Sequence, residues 1–255
     1  MMKLFSILFL MQIVFLGCSS IEKAEKQETA ELHMEIAIAY IQKDNLPLAL
    51  KELLIAEDIN PKNPVIHSNL GLVYFLRERY ELAEKHYLQA ISYKPDYTEA
   101  KNNLARVYTE IGQYKKAEPY LREALKDLTY TGYASVYANY GILEFKQKKY
   151  AAAKVYLKKS LESDRENCIT HVYLGRTFLE LKELALATDQ LEKAISFCRP
   201  VSIDEAHYYA ALAYYRNNQR DRAMARFEEL VKIFPMGLHY DKAKQMLNLI
   251  KKGTL

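Results

Sequence analysis

The chain has 255 residues, of which 36 are basic and 32 acidic, so its formal net charge at pH 7 is only +4. The two signs are interspersed, and the longest basic blocks are lysine pairs such as Lys115-Lys116, which argues against a nucleic-acid partner. Glycine (8 residues) and proline (7 residues) are scarce, as a predominantly helical chain requires.

The first predicted element, residues 1–17, is a signal peptide. Lys3 supplies a positive charge, and the apolar run from Leu4 to Leu16 is too short to span a bilayer as a helix. The run ends in Gly17-Cys18, which resembles the lipobox of bacterial lipoproteins, where the cysteine becomes the acylated first residue. We therefore expect Cys18 to carry lipid such as palmitate and to anchor the chain to a membrane. The alternative is an ordinary cleaved signal peptide in which Cys18 has no role.

Residues 18–29 are predicted to be the lipidated cysteine and a polar tether. The segment that follows Cys18 reads SSIEKAEKQET, which is charged and contains a single isoleucine. Such a segment is expected to be flexible.

From residue 30 onward the sequence repeats every 34 residues in six copies, which cover 30–63, 64–97, 98–131, 134–167, 168–201 and 204–237. Small residues recur at positions 8, 20 and 27 of the copies, as in Gly71, Ala83 and Ala90, where they let two antiparallel helices approach closely. Position 32 is a helix-stopping proline in three copies: Pro61, Pro95 and Pro235. This period and pattern are those of the tetratricopeptide repeat. The predicted fold is an all-α solenoid of six helix-turn-helix repeats over residues 30–237.

A last helix is predicted within residues 238–255. Its apolar residues are spaced so that they form one face: Tyr240, Ala243, Met246, Leu247 and Ile250. We expect this helix to cap the sixth repeat.

Cys168 and Cys198 occupy positions 1 and 31 of the fifth repeat. Position 1 opens the first helix and position 31 closes the second, so both lie at the same end of an antiparallel hairpin. Two alternatives remain open: a disulfide in an oxidising periplasm, or two buried free thiols.

Histidines recur at position 4 of four repeats: His33, His67, His171 and His207. Equivalent residues of stacked repeats are separated by roughly ten ångström, the spacing of packed helices, so this row cannot share one ion. No metal site is predicted. The sequence also contains no Gly-rich phosphate loop, HExxH or G-x-S-x-G motif. We therefore predict no catalytic residue, cofactor or small-molecule substrate, and expect a protein that is not an enzyme.

Positions 2, 5, 6, 9, 12 and 13 of the first helix of each repeat are expected to line a protein-binding groove. Position 6 contains an asparagine ladder that can hydrogen-bond an extended peptide. Positions 9, 12 and 13 contribute apolar residues and an arginine. The predicted groove residues are Ile38, Ile41, Asn69, Leu72, Phe75, Leu76, Asn103, Arg106 and Asn139. The apolar members are expected to form an exposed patch, since exposed apolar groups mark partner sites. The alternative for the asparagines is a role in supporting the local fold.

The order of these segments resembles a family of bacterial envelope proteins. The segments that carry the likeness are Ala39–Pro61, Asn102–Ala105, Lys126–Leu143 and Leu230–Tyr240, preceded by the lipobox-like Cys18. Together they are similar to the type IV pilus biogenesis lipoproteins, the pilotins of the PilF/PilW/Tgl group. The resemblance implies a protein on the periplasmic face of the bacterial outer membrane that helps the pilus secretin to assemble. The alternative is another envelope scaffold, such as a helper in β-barrel assembly, to which the turn Phe234-Pro235-x-Gly237 is somewhat similar.

Overall fold

The computed structural model describes residues 24–198 and 204–253, and every regular element in these stretches is an α-helix. α1 covers residues 24–42. The later helices are α2 (Leu46–Ile59), α3 (Pro64–Leu76), α4 (Tyr80–Tyr93), α5 (Thr98–Glu110), α6 (Tyr114–Ala124), α7 (Tyr133–Lys146), α8 (Tyr150–Ser163), α9 (Cys168–Glu180), α10 (Leu184–Phe197), α11 (Asp204–Arg216), α12 (Arg220–Ile233) and α13 (Tyr240–Lys252). The predicted all-α fold of helical hairpins is confirmed.

None of the helices described in these ranges is both long enough and apolar enough to cross a membrane.

Hairpin boundaries follow the 34-residue period. Four hairpins begin at the first residue of a predicted repeat, at Pro64, Thr98, Cys168 and Asp204, while α7 begins one residue early at Tyr133. The prolines at position 32 each lie two residues beyond the last helical residue, so they end α2, α4 and α12 as predicted.

Positions 8, 20 and 27 are buried in all six repeats. Glycine at position 8 allows the closest approach of the two helices in a hairpin. A Cβ atom on Gly141 would lie 2.5 Å from Cγ of Leu157 and 3.1 Å from its backbone nitrogen. A Cβ atom on Gly175 would lie 2.5 Å from Cγ of Leu191. The small residues therefore act as predicted, by letting the second helix lie against the first.

The turn within each hairpin uses a left-handed residue at position 15. In five repeats this residue is not glycine, and its φ is between 56° and 62°: Asp44, Glu78, Lys148, Lys182 and Asn218. In the third repeat it is Gly112, with φ 76°. Non-glycine residues are strained in this region by roughly 1–2 kcal/mol, so the turn geometry is imposed by the packing of the two helices.

α1 begins earlier than predicted. Residues 24–29, which the sequence predicts to belong to a flexible tether, are helical and continuous with the first repeat. Their alanine, glutamate, lysine and glutamine residues favour helix, and Gln27 Nε2 donates to Glu31 Oε1 at 3.0 Å. The tether prediction was wrong for this stretch. The rest of it, the predicted signal peptide and Cys18 lie outside the described residues.

The chain divides into two compact units, with the boundary inside α5 between Val107 and Tyr108. The described part of unit 1 covers residues 24–107, and its core gathers buried residues of α1, α2 and α3, such as Ala37, Leu53 and Leu70. Unit 2 covers residues 108–198 and 204–253, and its core is divided into several clusters along the successive hairpins. Such local burial is typical of repeat proteins.

Within unit 2, α13 closes the final hairpin. Its residues Ala243 and Ile250 are buried in one cluster with Ala223, Phe227 and Leu230 of α12. The predicted capping helix is confirmed, and it covers Tyr240–Lys252 of the expected segment.

Cys168 and Cys198 are joined by a disulfide across the open end of the α9–α10 hairpin, with their Cα atoms 5.2 Å apart. Of the two alternatives that the sequence left open, the structure adopts the bridge. Cys198 also packs against Val172, Ala194 and Ala206, so the bridge ties the ends of the hairpin at the edge of a small apolar cluster.

Candidate functional site

The predicted groove residues lie on α1, α3, α5 and α7, the first helices of their repeats. We give the name helix-A face to positions 2, 5, 6, 9, 12 and 13 of the first helix of every repeat, which are α1, α3, α5, α7, α9 and α11. Eight of the nine predicted residues belong to unit 1, and Asn139 belongs to unit 2, so the two parts of the face are described separately.

The apolar patch predicted in unit 1 is less exposed than expected. Leu76 is 41 % exposed, but Phe75 is only 9 % exposed. Ile38, Ile41 and Leu72 are half-buried, and Ile41 packs against the unit 1 core. The prediction of a contiguous exposed patch was therefore wrong for Phe75. Among the predicted apolar residues of this face, Leu76 has the most exposed side chain.

Phe75 is buried because two neighbours cover its ring. The guanidinium of Arg106 lies 4.1 Å from the ring centroid, and Tyr80 packs edge-on with ring centroids 5.7 Å apart. Arg106 comes from the next repeat, so the cation–π contact joins two hairpins. Phe75 contributes to packing within unit 1, and its truncation should cost stability.

The asparagine ladder is partly used by the helices themselves. Asn69 Nδ2 donates to the carbonyl oxygen of Val65 at 3.0 Å, which supports the structural alternative for this residue. Asn103 and Asn139 are half-buried. The bond to Val65 uses one of the two N–H donors of the Asn69 amide, so a peptide at Asn69 could use the second N–H and the side-chain oxygen.

Unit 2 has a more developed group on its part of the helix-A face, centred on Arg176 of α9. The guanidinium carbon of Arg176 lies 4.6 Å from the ring centroid of Phe145, 5.1 Å from that of Tyr173 and 4.5 Å from that of Tyr209. The rings of Phe145 and Tyr173 meet edge to face, with centroids 5.4 Å apart. Arg176 also donates to the Glu205 carboxylate. We call these five residues the arginine cluster.

Burial and nearby carboxylates change the pKa of Tyr173 in the arginine cluster. Burial, followed by the carboxylates of Glu110 and Glu205, raises the pKa of Tyr173 to about 12. Its hydroxyl is therefore a hydrogen-bond donor at neutral pH. The Arg176 side chain is 19 % exposed, so the arginine cluster lies partly at the surface. Such a surface can receive an aromatic, carboxylate or carbonyl group of a protein partner.

The arginine cluster was missed at the sequence level, although its signal was present. Arg176 at position 9 follows Phe145 at position 12 of the preceding repeat, just as Arg106 follows Phe75. The aromatic residues Tyr173 and Tyr209 stand at position 6, where earlier repeats have asparagine. The predicted set favoured the asparagines and apolar residues of the first repeats and left these residues out.

The histidines at position 4 form pairs within their own hairpins, as expected for residues set by the repeat. Three of them, His33, His67 and His171, contact position 23 of the second helix. His33 Nδ1 lies 2.6 Å from Glu52, and His171 Nδ1 lies 2.8 Å from Gln190. In the second repeat, position 23 is itself a histidine, His86.

His67 and His86 lie beside the carboxylate of Glu57 in unit 1. In the described residues, this is the group of three side chains that could together hold a metal ion. Burial, followed by the neighbouring His67 and Lys85, lowers the pKa of His86 to about 4. The histidine row at position 4 contains only His67 of this group, because Glu57 and His86 lie on the second helices of their repeats.

Stacked helical hairpins of 34 residues with buried small residues at three fixed positions define a tetratricopeptide-repeat protein. Tetratricopeptide-repeat family models match residues 62–129 and 99–166, residues 37–77 and residues 205–235. The chain belongs to this family. Its repeat scaffold is typically a protein-interaction module and not a catalytic one.

Solved structures with this fold include proteins of pilus biogenesis. PilW, described as a widely conserved type IV pilus biogenesis factor, is 22 % identical with a TM-score of 0.73, and the match covers 84 % of this chain and 97 % of PilW. PilF of Pseudomonas aeruginosa is 22 % identical with a TM-score of 0.70, over 87 % of this chain and 99 % of that chain. YrrB, a tetratricopeptide-repeat protein with an unusual peptide-binding site, is 18 % identical with a TM-score of 0.53, over 76 % and 97 %. A search of curated protein sequences found no match.

Proposed function

We propose that this chain is a pilotin: a lipoprotein on the periplasmic face of the outer membrane that binds the type IV pilus secretin and assists its assembly or localisation. The observation that carries the proposal is the likeness of fold to PilW, which extends over 84 % of this chain and 97 % of PilW. The lipobox-like Gly17-Cys18 supports the anchored location.

The helix-A face is the surface that we assign to the partner. Arginine and tyrosine are enriched among the residues that dominate protein–protein binding energy. The arginine cluster combines both, and its Arg176 side chain is 19 % exposed. In unit 1 the same face offers Leu76, which is 41 % exposed. Burial of an apolar side chain of this size contributes about 1.5–3 kcal/mol, so one such contact can change affinity about tenfold or more.

Deletion of the gene tests the function. We expect secretin multimers to fall in cell envelopes while the level of secretin monomer is maintained or rises. Unchanged multimers would refute the pilotin proposal. A general fall in outer-membrane β-barrel proteins, with secretin multimers intact, would instead support the alternative role as a helper in β-barrel assembly.

Two matched pairs of variants test the surface. Leu76→Ala should weaken binding of purified secretin about tenfold, whereas Leu82→Ala on α4, a second helix, should not, although both leucines are 41 % exposed. Arg176→Lys keeps the charge but removes the planar group, and should also weaken binding. Arg226→Lys is its control, because Arg226 is 20 % exposed and paired with a carboxylate but lies on α12. Equal effects within each pair would place the binding surface elsewhere.

The anchor is tested at Cys18. Wild-type protein should incorporate labelled palmitate and sediment with outer membranes, and Cys18→Ser should do neither, since the acyl groups are then absent. A wild-type protein without label would refute the lipid anchor but leave the secretin-binding surface open to the tests above.

A further inference from the structure

Glu57, His67 and His86 bring three ligand atoms together from three different helices. Glu57 is on α2 of the first repeat, and the two histidines are on α3 and α4 of the second. His67 Nδ1 lies 3.2 Å from His86 Nδ1 and 3.5 Å from Glu57 Oε1. His86 Nδ1 lies 3.9 Å from the same oxygen.

The contacts of His67 orient one nitrogen toward the centre of this group. Its Nε2 lies 2.9 Å from the carbonyl oxygen of Pro61. A carbonyl oxygen only accepts, so Nε2 must carry the hydrogen, and in the neutral ring Nδ1 then carries the lone pair. Metal-binding histidines commonly donate their second ring N–H to a backbone carbonyl in this way, which fixes the tautomer and the ring orientation.

Aromatic neighbours hold both rings in place. The ring of His86 stacks on Tyr74 with centroids 5.3 Å apart, and His67 lies against Tyr93 with centroids 5.4 Å apart. His67 and His86 are 1 % and 5 % exposed, whereas the Glu57 side chain is 27 % exposed. Solvent and ions therefore reach the group from the side of Glu57.

The separations of the three ligand atoms fit a tetrahedral ion. With bonds of about 2.0–2.1 Å, two ligands of tetrahedral zinc lie about 3.3–3.4 Å apart, whereas adjacent ligands of an octahedral ion at that bond length lie about 2.8–3.0 Å apart. The observed separations of 3.2, 3.5 and 3.9 Å bracket the tetrahedral value. The longest one involves Glu57, whose partly exposed side chain can move.

We propose that Glu57, His67 and His86 form a site for a divalent transition-metal ion of the zinc type, with water as the fourth ligand. Two imidazoles and one carboxylate are a known ligand set for zinc with an open position. The bound ion would connect α2 of the first repeat to the hairpin of the second. This inference is independent of the proposed role in secretin assembly.

Without metal, a hydrogen bond accounts for the close contact of the two histidines. His86 Nδ1–H donates to His67 Nδ1. Metal binding replaces this bond: His86 moves its hydrogen from Nδ1 to Nε2, and both Nδ1 atoms then face the ion with no net release of protons.

The other position 4 pairs supply a built-in comparison. His171 in the fifth repeat has the same contacts as His67: Nε2 lies 2.9 Å from the Arg165 carbonyl oxygen, and Nδ1 lies 2.8 Å from Gln190. Its partner is an amide and not a second imidazole. His171 therefore keeps the contacts of His67 but lacks the second imidazole. His86→Gln gives the second repeat the same histidine–glutamine pair as the fifth, and His171→Gln is the control for the loss of a buried histidine outside the site.

Calorimetric titration of the chelator-treated protein with zinc chloride tests the site, with the disulfide intact and any Cys18 thiol alkylated. We expect one zinc ion per chain and a higher melting temperature with zinc. His86→Gln and Glu57→Gln should each weaken binding by a factor on the order of 100 or more, and His171→Gln should bind as the wild type does. Circular dichroism establishes that each variant is folded, and Glu57→Gln, at the exposed edge of the site, should be the least disruptive.

Cobalt gives a second readout that reports geometry. Cobalt bound to the wild type should show the intense visible absorption of a tetrahedral complex, and His86→Gln should not. The proposal is overturned if the wild type binds no zinc at one millimolar. It is also overturned if folded His86→Gln and Glu57→Gln bind zinc as tightly as His171→Gln does.

Discussion

Opening the disulfide between Cys168 and Cys198 should lower the free energy of unfolding substantially. The bridge closes a loop with a sequence separation of 30 residues. In the chain-entropy model a loop of this length restricts the unfolded chain by about 12 cal/mol/K, which corresponds to about 3.6 kcal/mol at 25 °C. Urea unfolding followed by circular dichroism, with and without reductant, measures the difference.

The stability that comes from the cross-link has to be distinguished from the stability that comes from packing around the two cysteine side chains. Cys198 packs against Val172, Ala194 and Ala206, so its replacement also changes a small apolar cluster. If the cross-link is the cause, Cys168→Ala and Cys198→Ala should each cost about as much as reduction, and the double variant little more than either. A difference below about 1 kcal/mol between the oxidised and reduced wild type would refute the loop-entropy reasoning.

Three further predictions concern packing, turns and pH. Gly141→Ala should destabilise the protein by about 1–3 kcal/mol in urea unfolding, because the new Cβ atom would lie 2.5 Å from Leu157 Cγ and the helices would have to separate. An unchanged midpoint would mean that α7 and α8 move apart at no cost. Lys182→Gly should stabilise the protein by about 0.5–1 kcal/mol in thermal unfolding, because it removes the backbone strain at φ 59°. The greater conformational entropy of glycine in the unfolded chain offsets only part of this gain. A loss of stability would contradict the strain argument. Burial lowers the pKa of His207, and its effect is larger than that of the Glu229 carboxylate, which raises the pKa. As pH falls through about 6.5, the unfolded chain therefore takes up a proton that the folded chain does not, and stability should decrease. His207→Gln should show a smaller loss between pH 7 and 5, and an identical pH profile would show that this histidine is protonated equally in both states.

The comparison of Phe75 with Leu76 explains part of what the sequence could not predict. Both are apolar and adjacent on the last turn of α3, and the repeat pattern placed both on the partner-binding face. Only the structure brings Arg106 to 4.1 Å from the Phe75 ring and Tyr80 against its edge. A repeat register gives the direction of a side chain, but it does not say which long side chain of the next repeat will cover it.

The same distinction applies to the candidate sites. The asparagines of the helix-A face could be found by position, yet one of the two amide N–H groups of Asn69 donates to the Val65 carbonyl of its own helix. The arginine cluster depends on Phe145, Tyr173, Arg176 and Tyr209 meeting from three consecutive hairpins. The meeting of Glu57 with His67 and His86 likewise depends on packing between two repeats. The sequence gives the repeat position of each of these residues, but it does not show which side chains contact one another.

The sequence by itself determined the family, the period, the ends of most hairpins, the buried small residues and the capping helix. It could do so because a helical hairpin is built from contacts between residues close in sequence, and each of the six repeats shows the same local pattern. The tertiary structure decided what the side chains between repeats do: the covering of Phe75, the arginine cluster, and the group of Glu57, His67 and His86. These depend on the shapes and charges of residues that different hairpins bring together, and no single repeat contains that information.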